Sequence, residues 1–133
     1  MNNNEKLLIK KLKLIPHPEG GLYSESFRDK KGSVSLIYYL LRKGETSHWH
    51  KLKKNEILHF YDGDPIEIFL SKDKIKINKV ILGASSKFNY HYIVSANTWF
   101  GMKSKGLWSL IGCVVAPAFE FSDLVIDNTN WKL

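Results

Sequence analysis

The chain has one cysteine, two arginines, four prolines and no long apolar run in 133 residues, and each scarcity removes a class of protein. A lone Cys113 cannot pair within the chain, which excludes a disulfide scaffold and suits a reducing compartment. No stretch approaches the roughly 18 apolar residues of a membrane-spanning helix. The lysine-rich start has neither the sustained apolar stretch nor the small-residue cleavage site of an export signal, so a cytoplasmic protein without an anchor is expected. Arginine is the usual reader of phosphate forks and guanine edges. With only Arg28 and Arg42 present, a net charge of +7 is carried almost wholly by dispersed lysines. These flank or alternate with apolar residues, as on the wet face of a strand or helix, so no nucleic-acid partner is expected.

What is present is enough for one compact domain spanning residues 1–133, with 44% hydrophobic residues and no repeat or linker. A chain of this length buries roughly two-thirds of its unfolded surface and needs no staple. Leu7, Leu8 and Leu12 among lysines predict a helix that stops before Ile15-Pro16, because proline disfavours helical geometry in the residue ahead of it. From there the apolar period is two. About ten short runs read as strands: 22–28, 34–41, 46–52, 56–61, 66–70, 75–82, 90–94, 99–102, 107–115 and 124–126. Turns such as Asp62-Gly63-Asp64-Pro65 and Lys105-Gly106 separate many of them. Many short strands behind one helix predict an all-β sandwich or barrel.

Candidate chemistry gathers around the histidines. His48 and His50 are two apart, so an unbroken strand points both to one face. Glu56 opens the next strand on the face of Leu58 and Phe60, which puts His59 on the opposite face unless a bulge turns it inward. A hairpin from His48 to Phe60 brings two imidazoles and a carboxylate to one barrel mouth, a set that suits a first-row metal. Without a metal, His50 and Glu56 form a proton-transfer dyad, and the bland alternative is a hydrogen-bonded pair stitching two strands. Glu25 shares a face with Tyr23 and Phe27, where a charge is costly unless it is catalytic or salt-bridged, for example to Arg28. Trp99 and Tyr61 are aromatics able to stack on a ligand at a barrel mouth, with core packing as the alternative. His91 shares a face with Ile93 and Ser95. Cys113 lies in an apolar run with no nearby base and is expected to be inert.

The spacing Gly44-x5-His50-x-Leu52-x3-Glu56-x6-Gly63 resembles the first motif of the cupin superfamily, and Ser95-Ala96-Asn97-Thr98-Trp99-Phe100 is similar to the second. Two positions that carry metal ligands in that pattern are apolar here, Leu52 and Phe100. A closer resemblance is to the cupin-5 (DUF985) family. It rests on Pro16-His17-Pro18-Glu19-Gly20-Gly21 with Tyr23-x-Glu25-Ser26-Phe27-Arg28, on Ser47-His48-Trp49-His50-Lys51, on the block from Glu56 to Pro65, and on the block from Gly112 to Asp123. Departures from the family fall at Ser24, Leu58, Ser95-Ala96-Asn97 and Phe100, where Arg, Trp, Pro-Ala-Gly and Gln are common.

The resemblance implies a double-stranded β-helix, or jelly-roll barrel, over residues 16–133 behind an N-terminal helical segment, 1–15. It is a barrel type shared with dTDP-4-dehydrorhamnose 3,5-epimerases, and the resemblance also implies a homodimer. It marks His50, Glu56 and His59 as positions the family keeps; Glu25, Ser47, His91 and Trp99 are the expected ligand contacts. The leading expectation is an isomerase or epimerase with no obligatory cofactor, acting on a sugar-like carbonyl compound. His50, steered by Glu56, acts as base, and Tyr61 or His59 across the barrel as acid. Rivals are a metal-dependent enzyme using a divalent ion on His48, His50 and Glu56, with His91 as a fourth ligand, and a non-catalytic small-molecule-binding module. Lys51, Lys53 and Lys54, between the two principal residues, are expected to draw an anionic ligand toward the mouth.

Overall fold

The structure, a computed structural model, describes residues 3–133. Helix α1 (Asn3–Leu12) is followed by strands β1 (Ile15–Pro16), β2 (Leu22–Arg28), β3 (Ser35–Arg42), β4 (Ser47–Leu52), β5 (Glu56–Gly63) and β6 (Ile66–Ser71). Then come β7 (Asn78–Leu82), β8 (His91–Val94), β9 (Trp99–Ser104), β10 (Trp108–Val115), a 3-10 turn (Phe121–Asp123) and β11 (Leu124–Ile126). They form two antiparallel sheets, ordered β1-β2-β3-β10-β5-β8 and β11-β4-β9-β6-β7. This is the expected all-β jelly-roll barrel with a short N-terminal helix.

Alternation along the strands sends one set of side chains between the sheets. Tyr39, Leu41, Leu58 and Ile111 from the first meet Ile68, Leu70, Phe100 and Met102 from the second. A second cluster lies under the helix, where Leu8, Ile9 and Leu12 cover Leu14, Leu22, Leu40, Trp108 and Leu110. Its i, i+1, i+4 spacing is the apolar stripe of an amphipathic helix. Among the described residues, no helix is long and apolar enough to cross a membrane.

The expected strand from Ile75 begins later, at Asn78. Asp73 Oδ1 accepts from the backbone N–H groups of Ile75 (2.8 Å) and Lys76 (2.9 Å), and Lys74 sits at φ 66°. This side-chain-capped turn competes with the sheet ladder for those donors, and leaves Ile75 85% exposed.

Three register shifts decide which residues face inward. Ser47 pairs with Met102 and His50 with Phe100, so β4 has one residue more than β9 over that interval. Glu25 pairs with Ile37 and Phe27 with Leu36, a bulge at Ser26. Ile111 pairs with Phe60 and Leu110 with Asp62, a bulge at Tyr61. Each extra residue reverses the alternation beyond it.

Candidate functional site

The site is organised by a turn. In His17-Pro18-Glu19-Gly20-Gly21, the N–H of Gly20 donates to the His17 carbonyl and that of His17 to the Gly21 carbonyl, both at 3.0 Å. Gly20 (φ 106°) and Gly21 (φ 76°) take left-handed backbone, and a Cβ on Gly20 would collide with the Thr46 carbonyl. The Tyr39 hydroxyl donates to the Gly20 carbonyl, and the His48 N–H donates to the Glu19 carbonyl (2.7 Å). The turn is thereby fixed against β3 and β4, with the side chain of Glu19 inside the barrel, 8% exposed.

Glu19 meets His50 there. Glu19 Oε2 is 2.7 Å from His50 Nε2, and Oε1 is 3.7 Å from His17 Nδ1. On the far side of its ring, His50 Nδ1 lies 2.7 Å from the His48 carbonyl oxygen. A carbonyl only accepts, so Nδ1 carries a proton and Nε2 is the nitrogen that exchanges one. Burial works against the imidazolium, but the charges of Glu19 and Glu56 and the His48 carbonyl outweigh it and raise the His50 pKa. His17 behaves oppositely. Its Nδ1 accepts the Glu19 backbone N–H at 3.1 Å, and burial, with His50 adding to it and Glu19 opposing, lowers its pKa. His17 is the neutral member of the group.

Glu56 is the third member, 8% exposed. Burial pushes its pKa up to about 7, Glu19 adds to the rise, and His50 and the Cys113 thiol oppose it. Cys113, its own pKa raised first by burial and then by these carboxylates, stays a thiol and donates to Glu56. Glu19 Oε2 is satisfied by His50 Nε2 at 2.7 Å, whereas Glu56 Oε1 is buried without a hydrogen-bond partner. Both residues line a cavity of about 380 Å³ between β2, β3, β4, β5 and β10, walled by Ile37, Leu52, Val115 and Phe121.

Several expected site residues lie elsewhere. The dyad of His50 with Glu56 is corrected to His50 with Glu19, since Glu56 sits on the cavity wall and acts on His50 through space. His59 faces outward from the barrel, opposite His91 with ring centroids 5.9 Å apart, because no bulge precedes it on β5. Tyr61, at the bulge, lies on the outer side over Gly112 and against Tyr38 (5.8 Å). Neither His59 nor Tyr61 reaches the cavity, and His91 is exposed. Trp99 packs edge-on to Trp131 (6.0 Å) beneath the ammonium groups of Lys74 (4.4 Å) and Lys51 (4.9 Å), away from the cavity. Ser47 is fully buried opposite Met102 and does not line the cavity. Glu25 does line it, in the salt-bridged form: the Ser26 bulge turns Arg28 to its side, and Arg28 Nε and Nη2 each donate to Glu25 at 3.0 Å.

The metal set fares similarly. The β4 bulge separates His48 from His50, and His48 Nε2 donates to the Asp127 carbonyl (3.0 Å). Both His50 nitrogens are engaged, Leu52 is an apolar wall, and Phe100 packs on the His50 ring (4.1 Å). Among the described residues, no three His, Cys, Asp or Glu side chains are grouped to hold a metal ion. The donors present do not fit the metal centre of the cupin pattern.

Comparison with known proteins agrees with the barrel. The sequence pattern of the Cupin superfamily (DUF985) family matches residues 6–126. The chain belongs to that DUF985 family. A solved protein from Shewanella oneidensis is 32% identical to this cupin, with TM-score 0.87 over 96% of this chain and 85% of the other. A hypothetical protein from Leishmania major is 28% identical, with TM-score 0.82 over 92% and 86%. Oxalate decarboxylase from Bacillus subtilis, a protein with Mn(II) centres, shares the fold at 10% identity and TM-score 0.68, over 84% of this cupin and 29% of its own chain. No curated protein matches the sequence.

Glu19 and His17 are the functional candidates that strand periodicity misses, because they belong to a turn. The available signal was the pair Gly20-Gly21 directly after a carboxylate: consecutive glycines permit a left-handed turn tight enough to lay a side chain into a barrel.

Proposed function

We propose that this cupin is a small-molecule isomerase or epimerase that moves a proton at a carbon beside a carbonyl group. The observation that carries the reading is the buried ion pair of Glu19 with His50 beside Glu56, whose Oε1 has no hydrogen-bond partner, in one cavity. A buried carboxyl oxygen without a partner is rare in native proteins, and a hydroxyl group of a polyhydroxylated ligand is a group that would satisfy it.

The environments of the two carboxyl groups supply the division of labour. Glu19 is ion-paired to His50 and is the base. Glu56 holds its proton up to about pH 7 and is the acid. Glu19 takes the proton from the carbon, the C–H electron pair moves through the carbonyl to its oxygen, and Glu56 protonates that oxygen to give an enol. His50, hydrogen-bonded to the His48 carbonyl, positions Glu19 and balances its charge. For an isomer, Glu19 returns the proton to the former carbonyl carbon while the hydroxyl on the first carbon gives its proton to the Glu56 carboxylate and becomes the carbonyl; for an epimer, the enol proton returns to Glu56, water protonates the first carbon from the opposite face, and Glu19 releases its proton to solvent.

Deuterium incorporation tests this. A panel of aldoses, ketoses and their acids, incubated with the protein in D2O and followed by proton NMR, is expected to contain a compound that loses its signal beside the carbonyl. Glu19→Gln is expected to slow that exchange about 10²- to 10⁴-fold while ligand still raises the melting midpoint. A ligand-induced rise without exchange in any compound would instead support a binding module, and exchange unaffected by Glu19→Gln would overturn the assignment.

A further inference from the structure

A lysine occupies the position after α1 where glycine is the common choice. The N–H of Leu14 donates to the Ile9 carbonyl (3.0 Å) and that of Lys13 to the Lys10 carbonyl (3.3 Å), a helix end closed by Lys13 at φ 56°. Left-handed backbone is costly for a residue with a Cβ, and such strain persists where something else is gained. Lys13 also lines the cavity, where Arg28 is the other lysine or arginine among the lining residues. Arg28 is spent on Glu25, on Glu120 (3.3 Å) and on the Phe119 carbonyl (2.7 Å). Among the described residues, no carboxylate lies within ion-pairing distance of Lys13.

The lysines expected to attract a ligand lie off the cavity wall. Lys54 is held by Asp123 (2.6 Å) and the Ala118 carbonyl (2.8 Å), Lys51 lies over Trp99, and none of Lys51, Lys53 and Lys54 lines the cavity. Within the cavity Glu19 is matched by His50 and Glu25 by Arg28, and Glu56 keeps its proton below about pH 7, which leaves Lys13 as the unmatched cation at the rim.

We infer that Lys13 is the specificity-determining residue for a carboxylate on the ligand, so that the substrate class is the sugar acids, with the acid group at the rim and the carbonyl end at Glu19. One point charge in a cavity otherwise balanced suits a monoanionic carboxylate better than a doubly charged phosphate ester. The sugar part of this inference rests on the proposed function; the anion part rests on Lys13 alone.

Isothermal titration at low ionic strength with D-galacturonate and D-galactose, which differ only in a carboxylate for a hydroxymethyl group, tests it. The wild type is expected to bind the acid at least tenfold more tightly than the neutral sugar. Lys13→Gly, which suits the left-handed backbone and is expected to raise the unliganded melting midpoint, should cut that preference below threefold. Lys13→Arg should retain it. The inference is overturned if the wild type binds both sugars within threefold or binds neither, or if Lys13→Gly keeps the full preference. Because the readout is binding, absence of deuterium exchange would break the catalytic reading and leave this one standing, whereas charge-blind binding with exchange intact would do the reverse.

Discussion

His50 and His59 stand on consecutive strands and on opposite sides of the barrel wall. His50 is buried, fixed at both nitrogens and tied to a carboxylate. His59, half-buried, faces its exposed neighbour His91 on the outer surface. The same side chain is a buried, ion-paired group in one place and a surface residue in the other. The difference lies in what surrounds it: low polarity strengthens the field of Glu19 on the inner ring, and solvent screens whatever acts on the outer one.

Breaking the inner pair should have the largest effect. Glu19→Ala leaves a buried imidazolium without its counter-charge and is expected to cost about 3–5 kcal/mol in urea unfolding at neutral pH. Next comes the pH dependence set by Glu56. Its folded pKa of about 7 lies above the ordinary 4.5, so between those values the unfolded state gives up the proton while the folded state keeps it. Stability contributed by the neutral carboxyl is therefore complete below about pH 4.5 and is lost as pH rises to about 7, by about 3 kcal/mol. Glu56→Gln should flatten the stability profile over that window. His50 acts with the same sign at higher pH, since its raised pKa makes its stabilisation full below 6.5 and lost as pH climbs through the folded value. The smallest effect belongs to the outer surface. His59→Ala and His91→Ala should each change stability by no more than about 0.5 kcal/mol and leave deuterium exchange intact. A large loss from either would dissolve the contrast between the two sides.

The barrel was legible because alternation between apolar and polar residues is long-range information repeated in every strand, and an error in one strand does not change the class of fold. Facing was less legible, because a single inserted residue reverses it. The bulge in β4 moved His48 away from His50, and that at Ser26 brought Arg28 to Glu25, turning an unpaired charge into a salt bridge. Neither bulge is marked by a glycine, so nothing in the local sequence announces it. The His50 end of the site was legible from its spacing to Glu56. Its direct partner was not, since Glu19 reaches the barrel through two left-handed glycines and a tyrosine hydroxyl on another strand, a contact that only the assembled barrel creates. Lys13 was hidden for a related reason: read as helix surface, it is turned toward the cavity by a helix end that most sequences would close with glycine.

The central claim is that burial and charge make the barrel interior an acid–base site at neutral pH, and a carboxyl titration tests it most directly. With glutamate labelled at the side-chain carboxyl carbon, and the Glu56 resonance assigned by its loss in Glu56→Gln, the carbon shift is followed by NMR across the folded pH range. A midpoint near 7 for Glu56 is the predicted result. A midpoint near the ordinary 4.5 would contradict the account, because Glu56 would then be ionised at neutral pH with no proton to give.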